Sequence, residues 1–262
     1  MKHKYLTILV LGFAALLYNP SKAVAQLSSF AVLGGSTVTN TGPTVVNGNL
    51  GVSPGSAVTG FPPGIINGAL HTADAAAAMA QSDLATVYNK LANTACNTDL
   101  SGQDLGGLTL TPGTYCFSTS AQLTGTLTLD AQGNPNAVFL FKIGSTLTTA
   151  SASSVLLINS ASSCGVFWQV GSSATLGTGT ALQGNIVALA SITLNTGANA
   201  TGRLLARNGA VTLDSNQVTV CSGGPGLPVS VAEMPTLSGW AMVVLTGLLL
   251  LSGLAVMRRR AM

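Results

Sequence analysis

The chain has few charged and few aromatic residues. Of its 262 residues, 6% are charged and 5% are aromatic. The part from residue 26 to 230 contains six aspartates against four basic residues, which are Lys90, Lys142, Arg203 and Arg207. Nucleic-acid binding requires a basic surface that neutralises phosphates, and these residues form no such stripe. We therefore expect no nucleic-acid partner.

Groups suited to acid–base catalysis are equally scarce. Glu233 is the only glutamate, and His3 and His71 are the only histidines. A glycosidase would need two carboxylates facing one cleft, whereas Asp99 and Asp104 fall in a Gly-rich loop. The sequence also lacks a Ser/His/Asp set, a metal-ligand cluster and a phosphate-binding loop. We predict a protein that is not an enzyme and uses neither a cofactor nor a metal.

Residues 1–25 have the pattern of a secretory signal peptide. Lys2 and Lys4 precede an apolar stretch from Leu6 to Leu17, and Ala23-Val24-Ala25 provides a cleavage site of small residues. An uncleaved membrane anchor is the alternative, which the shortness of the apolar stretch disfavours. Export leads to an oxidising compartment, so the four cysteines are expected to pair.

The C-terminal region predicts a membrane-directed tail. Residues 222–234, rich in glycine and proline, predict a linker. Within 235–262, apolar residues from about 238 to 257 are enough to cross a bilayer, and Arg258-Arg259-Arg260 follow. Pro235-Thr236-Leu237, preceded by Met rather than Ile, resembles the IPTL-type sorting signals of Gram-negative bacteria. We expect an inner-membrane intermediate facing the periplasm, which a sorting protease releases to the cell surface or medium. A permanent anchor is the alternative.

Between these segments the sequence repeats itself at intervals near twenty residues. The repeats are Ser145-Thr146-Leu147, Ala174-Thr175-Leu176, Ile192-Thr193-Leu194 and Val211-Thr212-Leu213, with Ser36-Thr37-Val38 as a fifth copy. Such a period indicates a solenoid, in which each repeat buries its apolar side against its neighbours. Alternation along a strand sends the apolar residues inward and the threonines outward. The five threonines are therefore predicted to stack on one flat, solvated face.

Another strand of each coil is apolar on both sides, as in Val166–Val170, and both of its sides need cover. The solenoid interior covers one side. A helix predicted over about 72–94 can cover the other, because apolar residues between Ala73 and Leu91 recur at helical spacing. Thr72 is expected to cap this helix.

Turns that contain glycine recur beside the threonine repeats. They are Thr41-Gly42-Pro43-Thr44, Thr178-Gly179-Thr180 and Thr196-Gly197-Ala198-Asn199. Glycine permits the turn of the backbone. The small polar residues around it are expected to extend the threonine surface.

These segments together resemble the bacterial ice-binding protein family with the discontinuous β-solenoid fold. The resemblance covers residues 27–221 and is most evident in Asn40–Thr44, Val166–Gly171 and Leu205–Leu213. It implies a mainly β domain over 26–221, a right-handed discontinuous β-solenoid of triangular cross-section with one long α-helix packed along one face. It also implies adsorption to ice through a flat Thr-rich face with Thr-Gly/Ala-x-Thr/Asn motifs.

The resemblance thus predicts an antifreeze protein whose partners are the ice surface and its ordered water. The predicted contacts are Thr37, Thr41, Thr44, Thr146, Thr175, Thr178, Thr180, Thr193, Thr196, Asn199 and Thr212. Threonine is also common in strands for structural reasons. A surface adhesion or matrix protein that binds polysaccharide or another protein is the alternative. Exposed aromatic residues would favour it, but the few aromatic residues here fall mainly in apolar strands.

Four cysteines allow three disulfide connectivities. A bridge between Cys96 and Cys116 would close the local loop that follows the predicted helix. The remaining pair is Cys164 and Cys221, which three coils separate. Stacked corners would place them about 14 Å apart, so this bridge requires the chain end or the loop before Cys164 to run along the stack.

Overall fold

The structure is a computed structural model that describes residues 27–227. Its helical segments are residues 27–29, α1 (Ala75–Ala92) and a 3₁₀ turn, Ser163–Gly165. Its strands are β1 (Phe30–Gly34), β2 (Thr37–Thr41), β3 (Val45–Asn47), β4 (Asn49–Val52), β5 (Ala57–Thr59), β6 (Ile65–Ile66), β7 (Leu70–Thr72), β8 (Thr98–Asp99), β9 (Thr109–Leu110), β10 (Gly113–Phe117), β11 (Ala121–Leu123), β12 (Thr126–Asp130), β13 (Phe139–Ile143), β14 (Leu147–Thr149), β15 (Ser154–Ile158), β16 (Val166–Val170), β17 (Ala174–Leu176), β18 (Ala181–Ala188), β19 (Ile192–Leu194), β20 (Asn199–Ala206), β21 (Val211–Asp214) and β22 (Gln217–Thr219).

These strands form three parallel stacks around one interior. The threonine face is the seven-stranded sheet, in the order β11-β14-β17-β19-β21-β2-β5. The helix face contains β8, β10, β13, β16, the second half of β18, the second half of β20, β1, β4 and β7. The third face contains β9, β12, β15, the first half of β18, the first half of β20, β22, β3 and β6. The predicted mainly β solenoid is confirmed.

The long strands β18 and β20 turn the corner from the third face to the helix face. Gly184 and Gly202 lie at the bend with φ of 114° and 149°. Their backbones approach closely, since a Cβ on Gly202 would lie 1.9 Å from the Gly184 carbonyl oxygen. Only glycine permits both the conformation and the approach.

The solenoid is discontinuous because its first two coils stack on its last one. β1 pairs with β20, and β2 pairs with β21. The chain must then return to the opposite end of the stack, where β8 pairs with β10. Nine strands at the parallel spacing span about 38 Å, of which the 18 residues of α1 cover about 27 Å. The helix is thus both the return connection and the cover of the helix face.

The packing of α1 is as predicted, but its first residue is not. Its buried residues are Ala77, Ala80, Leu84, Val87, Tyr88 and Leu91. All of them except Ala77 form one cluster with Leu140, Phe167, Val187 and Leu205, which point outward from the helix face. Thr72 does not cap the helix, because it belongs to β7 and pairs with Val52. Asp74 is the cap, and its Oδ1 accepts from the Ala77 N–H at 2.8 Å.

The interior of the solenoid is apolar and includes an aromatic stack. The rings of Tyr115, Phe141 and Trp168 follow one another on neighbouring coils, with centroids 5.6 and 4.1 Å apart. Trp168 is fully buried, and its Nε1 donates to the Gln183 carbonyl at 3.0 Å. The close packing of these stacked rings makes the helix face rigid, and this face fixes the positions of the other two.

Both expected disulfides are present. Cys96–Cys116 has a Cα separation of 6.0 Å and Cys164–Cys221 one of 5.4 Å. The second bridge can form because the chain leaves the stack of coils after β22 and runs back along it toward Cys164. Ser162 Oγ donates to the Gly223 carbonyl at 3.4 Å, and Leu227 packs into the cluster beneath α1. The part of the predicted linker that is described, 222–227, therefore lies against the domain.

A buried arginine connects the two ends of this domain. Arg203 donates to the Ser28 carbonyl at 3.0 and 2.7 Å, to Asn185 Oδ1 at 2.8 Å and to Cys221 Sγ at 2.9 Å. Burial lowers the pKa of Arg203 to about 10, so the guanidinium stays charged at neutral pH. It holds the start of the first coil against the disulfide that closes the last one.

Within residues 27–227, no helix is both long and apolar enough to span a bilayer. The predicted signal peptide (1–25), the sorting motif near Pro235 and the span at about 238–257 lie outside the described residues.

Candidate functional site

One column of outward side chains runs along the whole threonine face. Strand pairing places its members in register on seven successive strands: Gln122, Thr148, Thr175, Thr193, Thr212, Thr39 and Thr59. We call these six threonines the ladder. Residues on either side point inward and are buried, as Ile192 and Leu194 are beside Thr193. The face therefore has an apolar base and a hydroxyl-bearing surface.

Three of the predicted repeat threonines lie in the ladder and two do not. Thr175, Thr193 and Thr212 are members. Thr146 lies just before β14, and the residue that pairs with Thr175 is Thr148. Likewise Thr39, rather than Thr37, pairs with Thr212. The predicted register was thus wrong by two residues at both places, a shift that keeps the inside and outside of the strand unchanged.

Thr37 and Thr146 nevertheless lie beside the ladder. Both belong to a flanking column of small residues, each two positions before a ladder position: Ser120, Thr146, Ser173, Ser191, Ala210, Thr37 and Ala57. Thr146 Oγ1 hydrogen-bonds Ser120 Oγ at 2.8 Å. The flanking column makes the face broader, and its small side chains add no bulk above the ladder.

Thr39, Thr59 and Thr148 belong to the ladder but were not predicted from the sequence. The signal for each was alternation with an inward apolar residue, but Val38-Thr39 and Val58-Thr59 lack the repeated Thr-Leu pair, and Thr148 follows that pair rather than belonging to it. Thr39 Oγ1 donates weakly to Thr212 Oγ1 at 3.4 Å. These two threonines join the first coil to the last one.

The turns at one edge of the ladder are themselves stacked. Thr41, Thr178 and Thr196 are exposed there. Gly42, Gly179 and Gly197 have φ of 76°, 70° and 70°, which favours glycine. The Gly179 N–H donates to the Thr196 carbonyl at 3.1 Å, and the Gly197 N–H donates to the Asp214 carbonyl at 3.0 Å. Backbone hydrogen bonds thus hold each turn at a fixed height on its neighbour.

Two predicted contact residues are buried and cannot touch a surface. Thr44 and Thr180 are both fully inaccessible to solvent. Thr44 Oγ1 accepts from the Asn216 N–H at 3.0 Å, and Thr180 Oγ1 bonds Thr149 Oγ1 at 2.7 Å. Asn199, by contrast, is exposed, but it begins β20 on the third face. Thr44 and Thr180 therefore belong to an internal polar column that supports the turns, and we remove them from the candidate surface.

Charged side chains touch the threonine face only at its margins. Asp214 ends β21 at the corner, where its carboxylate accepts from the hydroxyls of Thr196 and Ser215. Asp104 lies beside Gln122 at one end of the sheet. Burial raises the pKa of Asp104, but hydrogen bonds from Thr124 and the Gly106 N–H outweigh it and hold the pKa below its ordinary value. Both carboxylates have protein hydroxyl partners.

Within residues 27–227, no group of three or more His, Cys, Asp or Glu side chains is placed to hold a metal ion. The ladder is an array of neutral hydroxyl and methyl groups on one sheet, and such an array can hydrogen-bond a layer of water.

Comparison with known proteins gives the family. A family model described as "Ice-binding-like" matches residues 32–219. The chain belongs to the ice-binding-like family. Its relatives in this family include an ice-binding protein of Nostoc sp. (strain HG1), which is 58% identical over 225 residues, covering 84% of this chain and 83% of that one.

Solved structures of family members share the fold. The crystal structure of an ice-binding protein from an Antarctic biological consortium is 47% identical and has a TM-score of 0.74, covering 76% of this chain and 90% of that one. The ice-binding protein of the Antarctic ascomycete Antarctomyces psychrotrophicus is 43% identical, also with a TM-score of 0.74, covering 76% and 98%. This chain therefore shares its fold with ice-binding proteins of known structure from two different sources.

Proposed function

We propose that this protein adsorbs to ice through the threonine face and so limits the growth and recrystallisation of ice. The observation that carries the proposal is the ladder itself: six threonines in register on six successive strands, with no charged side chain among them. Membership of the ice-binding-like family supports it, as do the names of the relatives.

The chemistry of threonine explains why such a row suits ice. Each side chain presents a hydroxyl that bonds water and a methyl that does not, on a β-branched carbon with few rotamers. Neighbouring strands repeat at about 4.7–4.9 Å. Fixed groups at a constant spacing can hold water in a regular layer that joins a lattice. A charged group would orient water differently, and the ladder contains none.

The turns extend this surface at one edge. Thr41, Thr178 and Thr196 are exposed there, and their height is fixed by the stacked backbone hydrogen bonds. Together with the flanking column they make the proposed contact area several residues wide. Its rigidity reduces the entropy that would otherwise be lost when side chains are ordered at the ice surface.

We further propose that the protein acts outside the cytoplasm. The leader over 1–25 supports export, and two disulfides within the domain fit an oxidising compartment. The tail over 235–262 supports a periplasm-facing intermediate in the inner membrane, with release to the cell surface or medium by a sorting protease. Mass spectrometry of the secreted or surface protein tests this, since processing requires a C-terminus near Pro235.

The direct test of ice binding is thermal hysteresis together with ice-shaping microscopy. A fragment for this purpose should extend beyond residue 221, the predicted end of the domain, to Leu227. Leu227 is part of the packed cluster beneath α1. Faceted crystals and a freezing point below the melting point are expected. Round crystals and no hysteresis in folded protein would reject the proposal.

A further inference from the structure

The third face carries a second row of neutral polar side chains in register. Four successive strands, β18, β20, β22 and β3, contribute Gln183, Thr201, Thr219 and Asn47, and Asn67, which directly follows β6, continues the row. We call this set the neutral row. It faces away from the interior, as its half-buried to exposed side chains alternate with buried Leu182, Ala200 and Val218.

Hydrogen bonds between side chains fix one end of the neutral row. Asn67 Nδ2 donates to Asn47 Oδ1 at 2.8 Å, and Asn47 Nδ2 donates to Thr219 Oγ1 at 3.0 Å. Each of these bonds crosses from one coil to the next. The amide groups are therefore held in a repeating orientation rather than left to rotate in solvent.

A parallel outer column lies between the neutral row and the turns. It contains Ala181, Asn199, Gln217, Val45 and Ile65. Asn199 is fixed by the next coil, because its Oδ1 accepts from the Gln217 N–H at 2.6 Å. Asn199 also follows the exposed turn of Thr196 by three residues. The third face is thus continuous with the edge of the threonine face.

Neither of these two columns contains a charged side chain, and two of their exposed positions are apolar: Ala181, and Ile65, which is 55% exposed. The charged side chains of residues 27–227 lie outside these two columns. On the helix face and α1 they include Lys142, Asp83 and Lys90, while Asp130 and Asp214 end strands at corners. The part of the third face from β18 to β6 therefore presents neutral side chains, as the ladder does, whereas β12 on the same face ends with Asp130.

We propose that the third face is a second ice-contacting surface, oriented differently from the threonine face and therefore selective for a different plane of the crystal. The inference rests on the proposed function. Each coil from β17 to β5 contributes one residue to the ladder and one to the neutral row, so both rows have the same repeat along the stack. A direction of the ice lattice whose spacing matches the repeat of the ladder therefore also matches the repeat of the neutral row. The two bound planes should accordingly share that direction.

The test is the pattern of ice planes that the fluorescently tagged full chain stains on a single ice crystal. Thr193→Tyr places bulk on the ladder, Thr201→Tyr places it on the neutral row, and Ser82→Tyr places it on the exposed side of α1 as the matched control. Circular dichroism establishes that each variant is folded. Should Thr201→Tyr not fold, Gln217→Glu adds a charge to the third face with almost no change in shape.

The wild type and Ser82→Tyr are expected to stain two families of planes. Thr201→Tyr should lose one family and keep the other, and Thr193→Tyr should show the complementary loss. A folded Thr201→Tyr or Gln217→Glu variant with the wild-type pattern overturns the second surface, while loss in Thr193→Tyr alone leaves the proposed function standing. Absence of staining by the wild type overturns both.

Discussion

The hydroxyl of Thr196 donates a hydrogen bond to Oδ2 of Asp214, across two neighbouring coils. Oδ1 of the same carboxylate accepts from Ser215 Oγ at 3.1 Å, and Asp214 pairs in register with Thr41. The proton of Thr196 is therefore committed to the protein, and its oxygen faces solvent as an acceptor. The Asp214 carboxylate can therefore lie at the edge of the neutral threonine face, because its oxygens accept hydrogen bonds from protein hydroxyl groups.

Asp214→Ala should release both hydroxyls and loosen the turn at Thr196. We expect a loss of about 1.5–3 kcal/mol in the free energy of unfolding, as for other hydrogen bonds to charged groups, together with a partial loss of thermal hysteresis. Asp130→Ala is the matched control, since Asp130 also accepts from a neighbouring coil, through Asn159 Nδ2, but ends β12, which lies outside both the ladder and the neutral row. Equal hysteresis in the two variants at equal protein concentration would show that Asp214 has no part in ice binding.

The buried threonines should behave in the opposite way to the ladder threonines. Thr44→Val leaves the Asn216 N–H without its acceptor in a buried position, which costs about 1–3 kcal/mol. The thermal hysteresis of the folded variant should be unchanged. Thr39→Tyr should reduce hysteresis with little effect on urea unfolding, because it adds bulk only outside. A Thr44→Val variant that lost hysteresis while keeping the stability of the wild type would show that Thr44 is part of the ice-binding surface.

How far the sequence could predict this site depends on register. Thr193 and Thr212 were found because each stands between two apolar residues in a repeated segment. Thr146 and Thr148 both point outward, so the residue pattern alone cannot choose between them. That choice depends on the pairing of β14 with β17.

The turn motifs show a second limit. The segments from Thr41 and from Thr196 have similar sequences, yet Thr44 lies inside and Asn199 outside. Strand pairing aligns Val45, rather than Thr44, with Gln217 and hence with Asn199. Val45 follows the ladder residue Thr39 by six positions, as Asn199 follows Thr193, so the two turns are equally long, but the Thr-Gly motif begins one residue earlier in the first coil. This offset of one residue exchanges inside and outside, because the side-chain period of a strand is two. The helix, its packing face and both disulfides depended on longer patterns and were predicted correctly.

Asp83 on α1 should make stability depend on pH. Burial raises the pKa of Asp83, and its Oδ2 is buried without a hydrogen-bond partner. In the folded state the carboxyl therefore binds its proton more tightly than in the unfolded state, so stability falls as the pH rises through the range between the two pKa values. Asp83→Ala should gain stability at pH 7 relative to wild type, and part of that gain should vanish well below the ordinary aspartate pKa of about 3.9.

Thermal unfolding of both proteins across this pH range is the measurement. Ser82→Ala, on the exposed side of the same helix turn, is the control for helix propensity. A difference between Asp83→Ala and wild type that stays constant with pH would show that the charge of Asp83 is not the cause.

The two disulfides should contribute unequally. Cys164–Cys221 closes 57 residues and Cys96–Cys116 closes 20. From chain entropy alone, their removal costs about 4 and about 3 kcal/mol respectively. Loss of the longer bridge also deprives buried Arg203 of a sulfur partner. Denaturant unfolding of the two double-alanine variants should therefore rank Cys164→Ala/Cys221→Ala as the less stable, and the reverse order would contradict this description of the closing coil.

The central claim is that ice binding resides on the ladder, and thermal hysteresis of Thr193→Tyr tests it most directly. Thr193 lies within the row between Thr175 and Thr212, so a tyrosine there should keep ice from the neighbouring threonines. The account predicts loss of most of the hysteresis, a native circular dichroism spectrum, and wild-type hysteresis for the matched Ser82→Tyr protein. Full hysteresis in folded Thr193→Tyr would contradict it.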